Sequence, residues 1–161
     1  MTRYRHFLIL PAAVSLLLLA SIAFAGPEQE DVAVIVNPQN QVDSITSAEL
    51  RKMFSGEKRS WNSSLPVFLV VRAPQAHERD VLLNRVLKMT ESEYKQHWVK
   101  KVYSGEVPRE PLTLFSNGMQ LEAVRTEKGG IALIRLQDLR PGVKVIKVDG
   151  QTPGSSTYPL R

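Results

Sequence analysis

The chain has 161 residues, 43% hydrophobic and 23% charged, with no cysteine and a formal net charge of +5. This balance excludes a disordered or collagen-like chain and leaves no disulfide to staple a small core. The basic excess is too small to argue for a nucleic-acid surface and fits at most a small anionic ligand.

Residues 1–25 read as a secretory signal peptide. Thr2-Arg3-Tyr4-Arg5 is a short basic start, residues 7–20 are apolar apart from Ser15, and Ala23-Phe24-Ala25 supplies a small-x-small cleavage site. The alternative is a membrane anchor, but the apolar run falls short of the roughly 20 residues a spanning helix needs. The expectation is therefore a cleaved leader, a single domain over residues 26–161, a periplasmic address and no membrane insertion after cleavage.

Val32-Ala33-Val34-Ile35-Val36 is unbroken, largely β-branched and stopped by Asn37-Pro38, so it predicts a buried strand. Thr46 and Glu49 have capping-box spacing, opening a helix that turns Leu50, Met53 and Phe54 inward and stops at Gly56. Pro66 introduces a second buried strand, residues 67–72, ending in Arg72. Ala73-Pro74-Gln75-Ala76 leads into a helix from about His77 to Lys88, with Leu82, Leu83, Val86 and Leu87 on one stripe. Thr90 and Glu93 form a second capping box. The helix behind it places Tyr94, His97, Trp98, Lys101 and Val102 on one face. Pro108 and Pro111 predict an extended connection. A further helix over residues 117–127 has Met119 (or Gln120), Ala123 and Val124 inside. Gly129-Gly130 breaks it before two strands, residues 131–134 and 143–148, the second alternating as an edge strand does. The Gly/Ser/Thr/Pro-rich tail from Gln151 reads as loose. Strands separated by helices predict an α/β fold, a small mixed or parallel sheet flanked by helices, with ligands expected beyond the strands' carboxyl ends.

The motifs of enzyme chemistry are missing: no G-x-S-x-G, no phosphate-cradling glycine loop, no H-E-x-x-H. No enzyme, metal or cofactor is expected. His77-Glu78 offers two metal ligands without a third and reads as a polar helix start whose glutamate complements the dipole. His97 reads as a core-edge residue. Trp61 reads as packed against the sheet, with ligand stacking as the alternative. Arg72 has two readings of equal weight. It is an oxyanion anchor just before a helix whose first amides add donors, or it pairs with a carboxylate at the sheet edge.

In order and spacing, these segments resemble the periplasmic phosphate-binding proteins of ABC importers, specifically their second lobe. The resemblance is carried by the first strand with Asn37-Pro38, by residues 45–50 with Met53-Phe54-Ser55-Gly56 and Trp61-Asn62, and by Pro66-Val67 to Arg72. It continues through Trp98, Ser104-Gly105, residues 129–134, Asp149-Gly150 and Tyr158-Pro159-Leu160. It covers nearly all of the expected mature chain and implies a short, one-lobe member of the periplasmic-binding-protein type. By that resemblance the ligand is phosphate or another small anion, with Arg72 as anchor, amides from Gln75, Ala76 and His77, and Ser47 from the first helix start. The family's anion loop runs Arg, Asp, Ser-Gly-Thr. Here Arg72 is followed by Pro74 at the Asp position, the hydroxyls are missing, and Glu78 brings a negative charge close by. The other reading is a ligand-free interaction module whose open cleft face binds a membrane permease or another envelope protein. A concave basic site at Arg72 favours the anion, and an apolar cleft face favours the partner.

Overall fold

The computed structural model describes residues 30–161, so the expected leader lies outside the described residues. Strand β1 (Val32–Val36) is buried at every position. Its alternation explains the unbroken apolar run: Val32, Val34 and Val36 join the larger core, while Ala33 and Ile35 join a second core on the opposite face. Both faces are covered, so neither can be polar.

The sheet is completed by β2 (Ser44–Ile45), β3 (Phe68–Arg72), β4 (Leu112–Leu114), β5 (Gly130–Arg135) and β6 (Lys144–Val148), in the spatial order β2-β6-β1-β5-β3-β4. Strand β1 is antiparallel to both β5 and β6, while β2 pairs in parallel with β6, and β3 with β5 and β4. All strands except β1 therefore finish at the same end of the sheet. The expected mixed α/β architecture is what the chain adopts.

Three helices cover the larger core: α1 (Ser47–Phe54), α2 (His77–Val81), which runs on as a π-helical stretch over Leu82–Leu87, and α3 (Glu91–Tyr103). Leu50, Met53, Phe54, Leu82, Leu87 and Trp98 form its centre, each at most 2% exposed. Among the described residues, helix α4 (Asn117–Thr126) covers the other face, through Leu121 and Val124. His97 sits at the core edge as expected, its Nε2 2.8 Å from the Ser55 carbonyl oxygen and its ring edge-on to Trp98. Trp61 packs against the larger core, and its indole N–H donates to the Gly129 carbonyl at 3.0 Å.

Several expectations are corrected. Short strands β2 and β4 were not anticipated, because two or three residues carry no periodicity. Strand β6 is internal rather than an edge, because β2 pairs with its end at Lys147 and Val148. In α4 it is Gln120 that is fully buried, its amide donating to the Leu133 carbonyl at 2.8 Å, while Met119 is exposed. In α3, Val102 faces outward with Val99 and Tyr103. The tail is not loose. Tyr158 and Leu160 are buried, the Tyr158 hydroxyl donates to the Val32 carbonyl, and the Val32 amide donates to the Leu160 carbonyl.

Both capping boxes form. Hydrogen bonds from Lys58 and from the Thr46 amide hold the Glu49 carboxyl below its usual range. The Thr90 amide and hydroxyl do the same for Glu93. A carboxylate with a lowered folded pKa stabilises the fold above its unfolded value and loses that contribution as pH falls through the folded value. The urea midpoint is therefore expected to decline as pH drops below the ordinary glutamate value of 4.5. The double variant Lys58→Met, Thr90→Ala removes the ammonium from Glu49 and a hydroxyl from Glu93, and is expected to be less stable at neutral pH with a shallower acid decline; an unchanged slope would contradict this.

Candidate functional site

The carboxyl ends of β3 and β5 each deliver an arginine, Arg72 and Arg135, to the same edge of the molecule. Between them lies Glu78, from the first turn of α2, with a side chain only 1% exposed. Its Oε1 accepts from the Asn117 side-chain amide at 2.7 Å and from the Arg135 backbone N–H at 3.3 Å. The Nε of Arg135 lies 3.6 Å from the same oxygen, and the Nε of Arg72 lies 3.6 Å from Oε2. These last two are charge contacts, too long for hydrogen bonds. Arg72 also donates to the Leu114 carbonyl at 3.1 Å, which ties the ends of β3 and β4 together.

Asn117 donates to Asp138 as well as to Glu78, and Arg135 pairs with Glu30 at 3.0 Å. The hydrogen bond to Glu30 raises the Arg135 pKa, with the Glu78 and Asp138 charges adding to it, so this guanidinium stays charged. Among the described residues two cations thus face three carboxylates, a balance that disfavours a dianion at this edge.

The other residues of the expected site fall as follows. Gln75 adopts a left-handed conformation (φ 73°) and is exposed. Ala76 occupies the N-cap position of α2 but has no side chain to cap with, and its amide turns back to the Ala73 carbonyl at 3.4 Å. The amides of Gln75 and His77 meet no protein acceptor among the described residues. His77 is half-buried, with Nε2 2.9 Å from the Glu30 carbonyl oxygen. Ser47 stands apart. Its amide and hydroxyl both donate to Asp149, and β2 lies four strand spacings, about 19 Å, from β3. Of the five residues expected to meet, Arg72, Gln75, Ala76 and His77 cluster on the loop between β3 and α2, and Ser47 does not join them.

Arg135 and Asn117 are the members that the sequence reading missed, while Glu78 was placed near the loop but read as a wet helix-start residue. One signal was legible: Ile134-Arg135 repeats the pattern of Val71-Arg72, an apolar strand ending in a guanidinium. Nothing local marks Asn117 or the burial of Glu78. Exposed Phe115 and Leu136 directly follow β4 and β5, and exposed Met119 lies in the first turn of α4, so apolar side chains rim the same strand ends. A cavity of about 700 Å³ opens at the opposite end of the sheet, lined by Met53, Phe68, Trp98, Val107, Arg109 and Gly129 among others. Among the described residues no cluster of side chains is fit to hold a metal, and no helix is long and apolar enough to cross a membrane.

No protein-family model matches the sequence, and no curated protein matches it either. Solved structures do match. An ABC-type phosphate transport receptor from Vibrio cholerae superposes with a TM-score of 0.64 at 18% identity, covering 81% of this chain and 53% of its own. PstS from Borrelia burgdorferi gives 0.63 at 17% identity, covering 81% and 54%. A Clostridium perfringens substrate-binding protein solved with bound phosphate gives 0.63 at 18%, covering 77% and 47%. The fold is one lobe of the periplasmic-binding-protein type. The chain spans about half the length of these proteins, and identity at this level speaks for the fold alone. Within that fold the Arg72 loop lies beyond the strand ends, where open α/β sheets receive ligands.

Proposed function

We propose that the protein is a one-lobe, non-enzymatic binding protein of the cell envelope that engages a protein partner through its strand-end face. The observation that carries this reading is the state of Arg72, which is already matched by the buried Glu78 carboxylate and by the Leu114 carbonyl. A phosphate approaching Arg72 would meet Glu78 at close range. Each pair of like unit charges 4 Å apart costs about 4 kcal/mol at an effective dielectric of 20. Exposed Phe115, Met119 and Leu136 at the same end supply the apolar side chains a protein contact uses. The expectation of a signal peptide over residues 1–25 supports an encounter in the periplasm, with an importer's membrane permease or another envelope protein as the partner.

A second reading keeps phosphate or another small anion as the ligand, with Arg72 as anchor and the loop amides at Gln75, Ala76 and His77 as donors. The unengaged amides of Gln75 and His77 favour it, as does the fold shared with phosphate receptors. It requires Glu78 to be displaced. Isothermal titration calorimetry with phosphate, on the wild type and Arg72→Ala, separates the two. No saturable heat up to millimolar phosphate supports the partner reading, whereas micromolar binding lost in Arg72→Ala overturns it. In cells, a photoactivatable residue at position 115 is expected to give one discrete crosslinked adduct that Met119→Asp abolishes without changing stability. No adduct at all would sink the partner contact.

A further inference from the structure

A charged carboxylate withdrawn from water needs several donors, and Glu78 finds them on three separate elements. Arg72 comes from β3, Arg135 from β5 through both its guanidinium and its backbone N–H, and Asn117 from the start of α4. All of these groups carry donor hydrogens, of which the Asn117 amide and the Arg135 backbone N–H donate to Glu78 and the two guanidiniums face it as charges. A surface ion pair needs one partner, whereas this is a socket of converging donors closed around one carboxylate, the construction used to hold a free oxyanion.

The fit is incomplete in a particular way. Oε2 of Glu78 and the Nε atoms of Arg72 and Arg135 are buried and without hydrogen-bond partners. Both guanidinium contacts stop at 3.6 Å. Glu78 is tethered to α2, and its carboxylate stops short of both arginines. A free anion carries no such tether.

We propose that the Glu78 side chain is a built-in ligand, a carboxylate of the chain itself filling an oxyanion socket formed by Arg72, Arg135 and Asn117. The inference deepens the reading above, on which this edge is closed to phosphate. It also assigns the socket's preference. Without Glu78, two guanidiniums would remain opposite Glu30 and Asp138, with Asn117 still bridging to Asp138. A single negative charge restores the count that holds with Glu78 in place, whereas a phosphate dianion exceeds it, so a small monocarboxylate is the matching occupant.

The test is chemical rescue. Thermal unfolding of the wild type, Glu78→Ala and Glu78→Gln is followed in formate, acetate, phosphate and chloride at equal ionic strength. Glu78→Ala is expected to melt lower and to recover by about 5 °C, saturably, when formate or acetate reaches roughly tenfold above its Kd. The wild type and Glu78→Gln, whose sockets stay filled, are expected to show no carboxylate-specific shift. If Glu78→Ala does not fold in chloride, refolding yield becomes the readout, and formate is expected to restore it.

Equal responses to formate and chloride overturn the proposal, as does rescue of Glu78→Gln to the same extent as Glu78→Ala. Saturable phosphate stabilisation of the wild type also overturns it, because it would show the socket open, and it would favour the anion reading. Failure of rescue with the position-115 adduct intact would remove the built-in ligand and leave the partner reading standing.

Discussion

Arg72→Ala is expected to destabilise the fold by about 3 kcal/mol, whatever it does to ligand binding. Removing one member of a buried charge pair leaves the other uncompensated, at a typical cost of about 3–5 kcal/mol. Arg135 and Asn117 still face Glu78, which places the loss at the low end. The hydrogen bond from Arg72 to the Leu114 carbonyl goes too, loosening β4, a strand of three residues held to the sheet only through β3. Arg72→Lys is not expected to restore stability, because an ammonium lacks the fork that faces Glu78 and Leu114 together. Urea unfolding of Arg72→Ala, Glu78→Gln and the double variant closes a cycle with an expected coupling of about 1–3 kcal/mol. Additive losses would mean that Arg72 does not hold Glu78. This measurement must accompany any titration with Arg72→Ala, since lost binding in a partly unfolded variant says nothing about a ligand.

Gly129→Ala is expected to cost at least about 3 kcal/mol, more than a usual overpacking change, for a different reason. A Cβ at Gly129 would stand 1.9 Å from the Pro66 carbonyl oxygen and 3.1 Å from its carbon. These are backbone atoms that cannot step aside. The Gly129 carbonyl accepts from the Phe68 amide at 2.9 Å and from the Trp61 indole at 3.0 Å, so the backbone at this corner is fixed from both sides. Shifting it would disturb the start of the β3–β5 pairing at Phe68 and Gly130. The control is Gly118→Ala in α4, where the nearest side-chain atom is 3.9 Å away and φ is ordinary. It is expected to stabilise slightly, by up to about 1 kcal/mol. Equal effects at the two glycines, measured by urea unfolding, would contradict the close approach.

Glu78 shows how far local reading carries. Beside His77 at a helix start, a glutamate reads as a solvated partner of the helix dipole, since most such residues are wet. It is buried because β3, β5 and α4 bring Arg72, Arg135 and Asn117 to one place, contacts that span 39 and 57 residues for Asn117 and the Arg135 amide. Of the two readings of Arg72, pairing with a neighbouring carboxylate is the arrangement found. Ser47 was linked to the site by its helix-start position, but strand order set it at the far side of the sheet beside Asp149. The tail misled for a related reason. Its composition is that of a loop, yet Tyr158 and Leu160 find buried places against β1, and these two apolar anchors outweigh the glycine and serines that precede them.

Local chemistry along the chain encodes much of the fold. The unbroken run of β1, the two capping boxes, the strand ending at Arg72 and the apolar stripe over residues 82–87 each carry their own physical signal, a periodicity, a hydroxyl three residues from a carboxylate, or a charge closing an apolar run. The order of those signals was enough to indicate the lobe. Only the tertiary structure decided which charges meet. Strand order in a mixed sheet and the side on which each helix packs are set by burial summed over the whole chain. A carboxylate's environment, solvated or socketed, follows from that sum and from no neighbour in sequence.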